Sequence, residues 1–166
     1  SNVSWTTGGQ FGKALSFSGS NSYVTVADKN SLDLTNGMTL EAWVYPTATM
    51  SGWRSVLLKE QTGGLAYGLY ANSDTNKPVA SINISGNDKN LPGVSALTAN
   101  AWTHLAATYD GATERLFVNG VQVAKQAQTG NIPVSTGALR IGVNSIWGEY
   151  FKGRIDEVRI YNRALS

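Results

Sequence analysis

The chain has 166 residues at 17.7 kDa, enough to bury roughly 70% of its unfolded surface in one domain. It has no cysteine, which excludes disulfides and thiolate metal sites, and its net charge of +2 comes without any basic run. A nucleic-acid footprint needs clustered Lys and Arg, and a membrane span needs about 20 consecutive apolar residues; neither occurs.

Only 14% of residues are charged, against about 25% in an average domain. Ser, Thr, Asn and Gly fill the gap, making up 63 of the 166 residues. A surface of hydroxyls, amides and aromatics suits a neutral, hydroxyl-rich partner such as an oligo- or polysaccharide.

Taken in chain order, the pattern predicts short strands at Lys13–Ser18, Ser22–Val26, Met38–Tyr45, Arg54–Glu60, Leu65–Ala71 and Val79–Ile84. Further strands are expected at Trp102–Tyr109, Glu114–Asn119, Val121–Lys125, Ala138–Gly142 and Phe151–Tyr161. The strongest alternates Met38, Leu40, Ala42 and Val44 on one face with Thr39, Glu41, Trp43 and Tyr45 on the other, before Pro46. Asn119-Gly120 is the sequence of a type I′ hairpin turn, and Asp110-Gly111 supplies the preceding turn, which together give a three-strand meander. Many short strands without a helical period predict an all-β fold, a two-sheet antiparallel β-sandwich. Thr39, Glu41, Trp43, Lys59, Tyr67 and His104 are expected on a solvated sheet face, subject to register.

Several strings then become informative together. Phe11-Gly12-Lys13-Ala14-Leu15-Ser16-Phe17-Ser18-Gly19 and Met38-Thr39-Leu40-Glu41-Ala42-Trp43-Val44 come first. Trp102-Thr103-His104-Leu105-Ala106-Ala107-Thr108-Tyr109-Asp110-Gly111, Leu116-Phe117-Val118-Asn119-Gly120, and the segment from Phe151 through Asp156-Glu157-Val158 to Ser166 follow in order. This set resembles the laminin-G-like, concanavalin-A-like jelly-roll modules of bacterial secreted proteins. The resemblance implies one jelly-roll domain over 1–166, shortened at both ends relative to the family. The missing first strand would leave a sheet edge open to pairing with another chain. Ser166 would cap a following helix.

The same resemblance implies a structural calcium ion, held between an early acidic turn and the late Asp156. The early turn here reads Phe17-Ser18-Gly19-Ser20-Asn21-Ser22-Tyr23, so Asn21 and Gly19 would have to supply oxygens in place of carboxylates. Zinc is a poor fit to one His and no Cys.

Catalysis is not expected. Jelly-roll hydrolases of this kind carry Glu-x-Asp-x-x-Glu along one strand, and no such string is present. Glu41 is followed by Trp43 where a second acid belongs, while Asp156 and Glu157 are adjacent and point to opposite faces. His104 is the sole imidazole and reads as a structural strand residue.

Trp43 and Trp102 fall inside strands and are expected to be structural, with Trp5 packed near the amino end. Trp53 and Trp147 instead sit in Gly/Ser/Asn loops, where an indole either covers the core edge or offers a platform for a sugar ring. Trp147 with Tyr150, Asn144 and Glu149, and Trp53 with Arg54, are therefore the candidate ligand contacts. The reading is a non-catalytic carbohydrate-binding module of a secreted or cell-surface multidomain protein, linked to neighbouring domains. The alternative is a protein-interaction or adhesion module of the same fold.

Overall fold

A computed structural model describes residues 2–165. Its strands are β1 (Ser4–Thr6), β2 (Ala14–Ser18), β3 (Val24–Val26), β4 (Met38–Pro46), β5 (Arg54–Gln61), β6 (Gly64–Asn72) and β7 (Val79–Ile84). They continue as β8 (Asn87–Pro92), β9 (Thr103–Tyr109), β10 (Thr113–Val118), β11 (Val121–Ala127), β12 (Leu139–Ile141) and β13 (Lys152–Tyr161). One short 3-10 turn, Asn30–Leu32, follows β3.

The strands form two antiparallel sheets. The first runs β1-β2-β13-β4-β9-β10-β11 and the second β3-β12-β5-β6-β7-β8. Their inner faces meet over one core, built from the alternation in each strand. Met38, Leu40, Ala42 and Val44 of β4 are all fully buried, opposite Leu57 of β5, Leu69 of β6 and Ile82 of β7. Removing one such aliphatic side chain, as in Leu40→Ala, costs about 2–5 kcal/mol from lost transfer energy plus the cavity left behind. The expected meander is present: β9 pairs β10 and β10 pairs β11. Asn119 and Gly120 take φ of 51° and 77°, the two positive angles that a type I′ turn demands.

Two strands were not legible. β1 is a three-residue edge strand on β2, and its Trp5 is 70% exposed rather than packed. β8 reads Asn-Asp-Lys-Asn-Leu-Pro, too polar to look like a strand. It exists because Ser85-Gly86, with φ of 54° and 79°, turns β7 straight back on itself.

Register corrects the expected solvated face. Glu41, Trp43 and His104 do share the outer face of the first sheet, where Trp43 opposes His104 across the β4–β9 pair. Thr39 is buried beneath the C-terminal segment, donating to the Arg163 carbonyl and accepting from the Leu165 amide. Lys59 and Tyr67 oppose one another across β5 and β6 but point inward. Register is unbroken from Leu57–Leu69 to Lys59–Tyr67, so the two share by alternation the inward face of those core leucines. Both polar ends are satisfied there. The Lys59 ammonium binds Asp28 and the Gly137 carbonyl, and the Tyr67 hydroxyl donates to the Leu32 carbonyl at 2.9 Å.

Candidate functional site

The loop between β12 and β13 is built around Asn144. Its backbone carbonyl accepts from Gly148 and Glu149, and its side-chain oxygen accepts from the Ile146 amide at 3.1 Å. The Asn144 amide donates to the Tyr70 hydroxyl at 3.1 Å. Ser145 is tied to the Glu60 carboxylate through both its hydroxyl and its backbone amide, and the Glu149 carbonyl accepts from Ser55 of β5. A short loop pinned at this many points presents Trp147 in one place. Its indole is 51% exposed, and its far edge lies over Gly64 at the start of β6.

Trp53 faces it from the loop before β5. The indole nitrogen donates to Asp74 at 2.8 Å, and the ring packs edge-on against Tyr70 with centroids 5.0 Å apart. Between the two tryptophans lies a cavity of about 280 Å³ on the outer face of the second sheet. It is lined by Trp53, Leu65, Tyr70, Asp88, Asn90, Trp147 and Glu149. The Asp88 and Asn90 side chains stand on β8, each braced by one bond to β7. Asp88 Oδ1 accepts from the Asn83 amide and Asn90 Oδ1 from the Ser81 hydroxyl, both at 2.8 Å. The Asn90 amide nitrogen and the second Asp88 oxygen are left for a ligand.

Glu149 is the electrostatic centre of the site. Its Oε2 is buried and has no hydrogen-bond partner. Burial pushes its carboxyl up to about 7, with the Asp74 charge acting in the same direction. The Asn144 amide and the Arg54 guanidinium offset this only in part.

The structure places Trp147, Trp53 and Glu149, singled out as parts of two separate loops, on one cavity, and places the other candidates outside its lining. Asn144 is fully buried and cannot touch a ligand, because its side chain is consumed in holding the loop. Tyr150 and Arg54 do not line the cavity; the Arg54 guanidinium is turned onto the Trp53 carbonyl at 3.2 Å. Leu65, Tyr70, Asp88 and Asn90 were missed. For Asp88 and Asn90 the usable signal was the Ser85-Gly86 turn followed by an alternating Asp-x-Asn.

The residues expected to hold calcium do not fit the ion. Asp156 sits at the bulge in the β13–β4 pair, where Oδ2 accepts from the Phe11 amide and Oδ1 from the Glu157 amide, both at 2.9 Å. Backbone N–H groups thus surround the carboxylate where further oxygens would be needed. Lys152 pairs with Ser18 and Ile155 with Leu15, so Asp156 falls level with Ala14, about five strand residues, ~17 Å along the strand, from the start of the Gly19–Asn21 turn. Among the described residues no group of three His, Cys, Asp or Glu is placed to hold a metal. Asp156 instead fastens the N-terminal loop to the sheet.

The other sheet face carries a second hollow of about 360 Å³, lined by Phe11, Glu41, Trp43, His104, Glu157 and Arg159. Trp43 is half-buried there, between Phe11 and His104, rather than part of the core. No helix among the described residues is long and apolar enough to cross a membrane.

A family model described as the concanavalin A-like lectin/glucanases superfamily, of laminin-G type, matches residues 18–166. The chain belongs to this superfamily. A comparison with curated protein sequences finds no match. Among solved structures, this superfamily member resembles domain 4 of AbnA, a GH43 extracellular arabinanase from Geobacillus stearothermophilus, in complex with arabinotriose. That pair has a TM-score of 0.72 at 23% identity, covering 100% of this chain and 78% of the other. It also resembles the Ruminococcus gnavus IT-sialidase CBM40 bound to α2,3-sialyllactose, with TM-score 0.75, 18% identity, and 92% and 91% coverage. The mouse laminin α1 chain domains LG4-5 match with TM-score 0.70 at 14% identity, covering 92% of this chain and 44% of that one. At these identities the likeness is one of fold.

Proposed function

We propose that the domain is a non-catalytic carbohydrate-binding module of a secreted multidomain protein, and that its glycan sits between Trp53 and Trp147. The observation that carries this reading is the cavity itself: two indoles facing across about 280 Å³, with Asn90, Asp88 and Glu149 as hydrogen-bonding groups. Sugar rings offer apolar C–H faces to aromatics and hydroxyls to amides and carboxylates, which is the chemistry displayed. The likeness to an arabinanase domain and a sialidase binding module, each solved with an oligosaccharide, supports the same reading. Asp88 and Glu149 share the cavity although they lie far apart in sequence, so spacing along one strand did not foresee them. We read them as ligand acceptors rather than as an acid–base pair.

Stacking plus two or three hydrogen bonds gives millimolar to micromolar affinity, about 4–8 kcal/mol in all. Losing one platform costs roughly 1–3 kcal/mol, taking base–aromatic stacking as the guide. Trp147→Ala should therefore weaken binding to a responsive glycan about tenfold or more in titration calorimetry. Its melting temperature should hardly move, since half of the side chain is already solvated. Full retention of binding would place the site elsewhere. The adhesion reading draws on the opposite face, where Phe11 is 60% exposed beside Trp43. Under that reading Phe11→Ala, not Trp147→Ala, would abolish the interaction.

A further inference from the structure

Resting on the glycan reading above, we propose that the Trp53–Trp147 cavity selects uncharged glycans and rejects carboxylated ones, with Glu149 and Asp88 as the discriminating residues. The lining holds two carboxylates and no Lys, Arg or His. Arg54, whose charge acts on Glu149, is not part of the lining; its guanidinium donates to the Trp53 backbone carbonyl at 3.2 Å. Above pH 7, where Glu149 is mostly ionised, a ligand carboxylate entering this space would meet two like charges and find no guanidinium or ammonium in the lining to receive it.

A sugar hydroxyl has the opposite fit. Glu149 Oε2 is buried without a donor, while its loop is already held by bonds through Asn144, Ser145 and the Glu149 backbone. A hydroxyl of a ring stacked against Trp147 would donate to the Glu149 carboxylate where it lines the cavity, and a neighbouring hydroxyl would meet Asp88 or the Asn90 amide. The fold neighbour solved with sialyllactose holds a carboxylated sugar, and the present cavity lacks the cations such a ligand calls for.

Proton linkage follows from the same arrangement. The charged groups around Glu149 are Asp74, Arg54 and, across the cavity, Asp88; Tyr70 stays protonated because burial holds its phenol above the ordinary range. With the Glu149 carboxyl near 7, about a tenth of the molecules carry it ionised at pH 6 and about nine tenths at pH 8. A hydroxyl donor binds the ionised form, so apparent affinity for an uncharged glycan should rise by up to about tenfold over that interval.

The test is a glycan microarray of matched pairs, including lactose against α2,3-sialyllactose and neutral xylo-oligosaccharides against their glucuronic-acid-substituted forms. It is run at pH 6 and pH 8 with the native domain, Glu149→Gln and Asp88→Asn, each checked by thermal melting. Asp88→Asn, on the exposed edge strand β8, stands in should Glu149→Gln not fold. The expected result is retention of uncharged members, stronger at pH 8, and loss of their carboxylated partners. Glu149→Gln should flatten the pH profile, and either variant should narrow the discrimination. Carboxylated members bound equally well or better would overturn the selectivity while leaving the glycan reading intact. Binding of no member at either pH would overturn both.

Discussion

Glu114 offers the sharpest test of how burial is balanced in this fold. It lies on β10, fully buried, opposite Tyr109 of β9. The Gln126 side chain of β11 donates to its Oε2 at 2.7 Å, while Oε1 has no partner. Burial raises its carboxyl from 4.5 to about 7, and the single bond from Gln126 offsets little of this. The folded state therefore holds a proton that the unfolded chain has released between those values. Stability from this group is fully present below pH 4.5, falls as pH rises toward 7, and stays low above it. The raised value corresponds to a penalty of roughly 3 kcal/mol at pH 8. Glu114→Gln replaces the acid by a neutral group of the same shape, so the variant should match the native domain near pH 4.5. At pH 8 it should be more stable by about 2–3 kcal/mol, allowing for some relaxation around the ionised form. Urea unfolding of both proteins at pH 4.5, 6 and 8 reads this as a difference. Glu149 titrates in the same range in both proteins and largely cancels. A variant no more stable than the native domain at pH 8 would show that the carboxylate is better satisfied than the geometry implies.

Gly142→Ala should lose several kcal/mol, on the order of 3 or more, because the site has φ of 80° and the new Cβ would meet the Phe17 ring at 2.3 Å; a melting temperature within a few degrees of native would contradict this. Asp156→Ala should cost roughly 2–3 kcal/mol by stranding the Phe11 and Glu157 amides, while millimolar Ca²⁺ and EDTA should give superimposable melting curves. A melting temperature raised by Ca²⁺ would restore the metal reading. The domain should release no reducing ends from polysaccharides that it binds, and hydrolysis that disappears in Glu149→Gln would make Asp88 and Glu149 a catalytic pair.

How much of this was legible in the sequence depends on the range of the interaction. Alternation in Met38–Val44, the Asn119-Gly120 turn and the absence of any helical period are local properties, and they determined the sandwich, the meander and most strand positions. Trp147 and Trp53 could be singled out because an indole in turn chemistry is unusual on its own terms. The rest was decided between strands. Lys59 and Tyr67 lie on the inward face with Leu57 and Leu69, where Asp28, Gly137 and Leu32 from other segments satisfy their polar ends, partners that no single-strand pattern records. Asn144 looked like a ligand group, yet the distant Tyr70 and its own loop consume its hydrogen bonds. Asp156 looked like a metal ligand until the register of β13 on β2 set it about five strand residues from its supposed partners. The cavity joins loops before β5 and after β12 to strands β6 and β8, segments up to about a hundred residues apart. Local sequence specifies each element's faces, but only long-range pairing decides which faces meet, and that is where the site's charge was set.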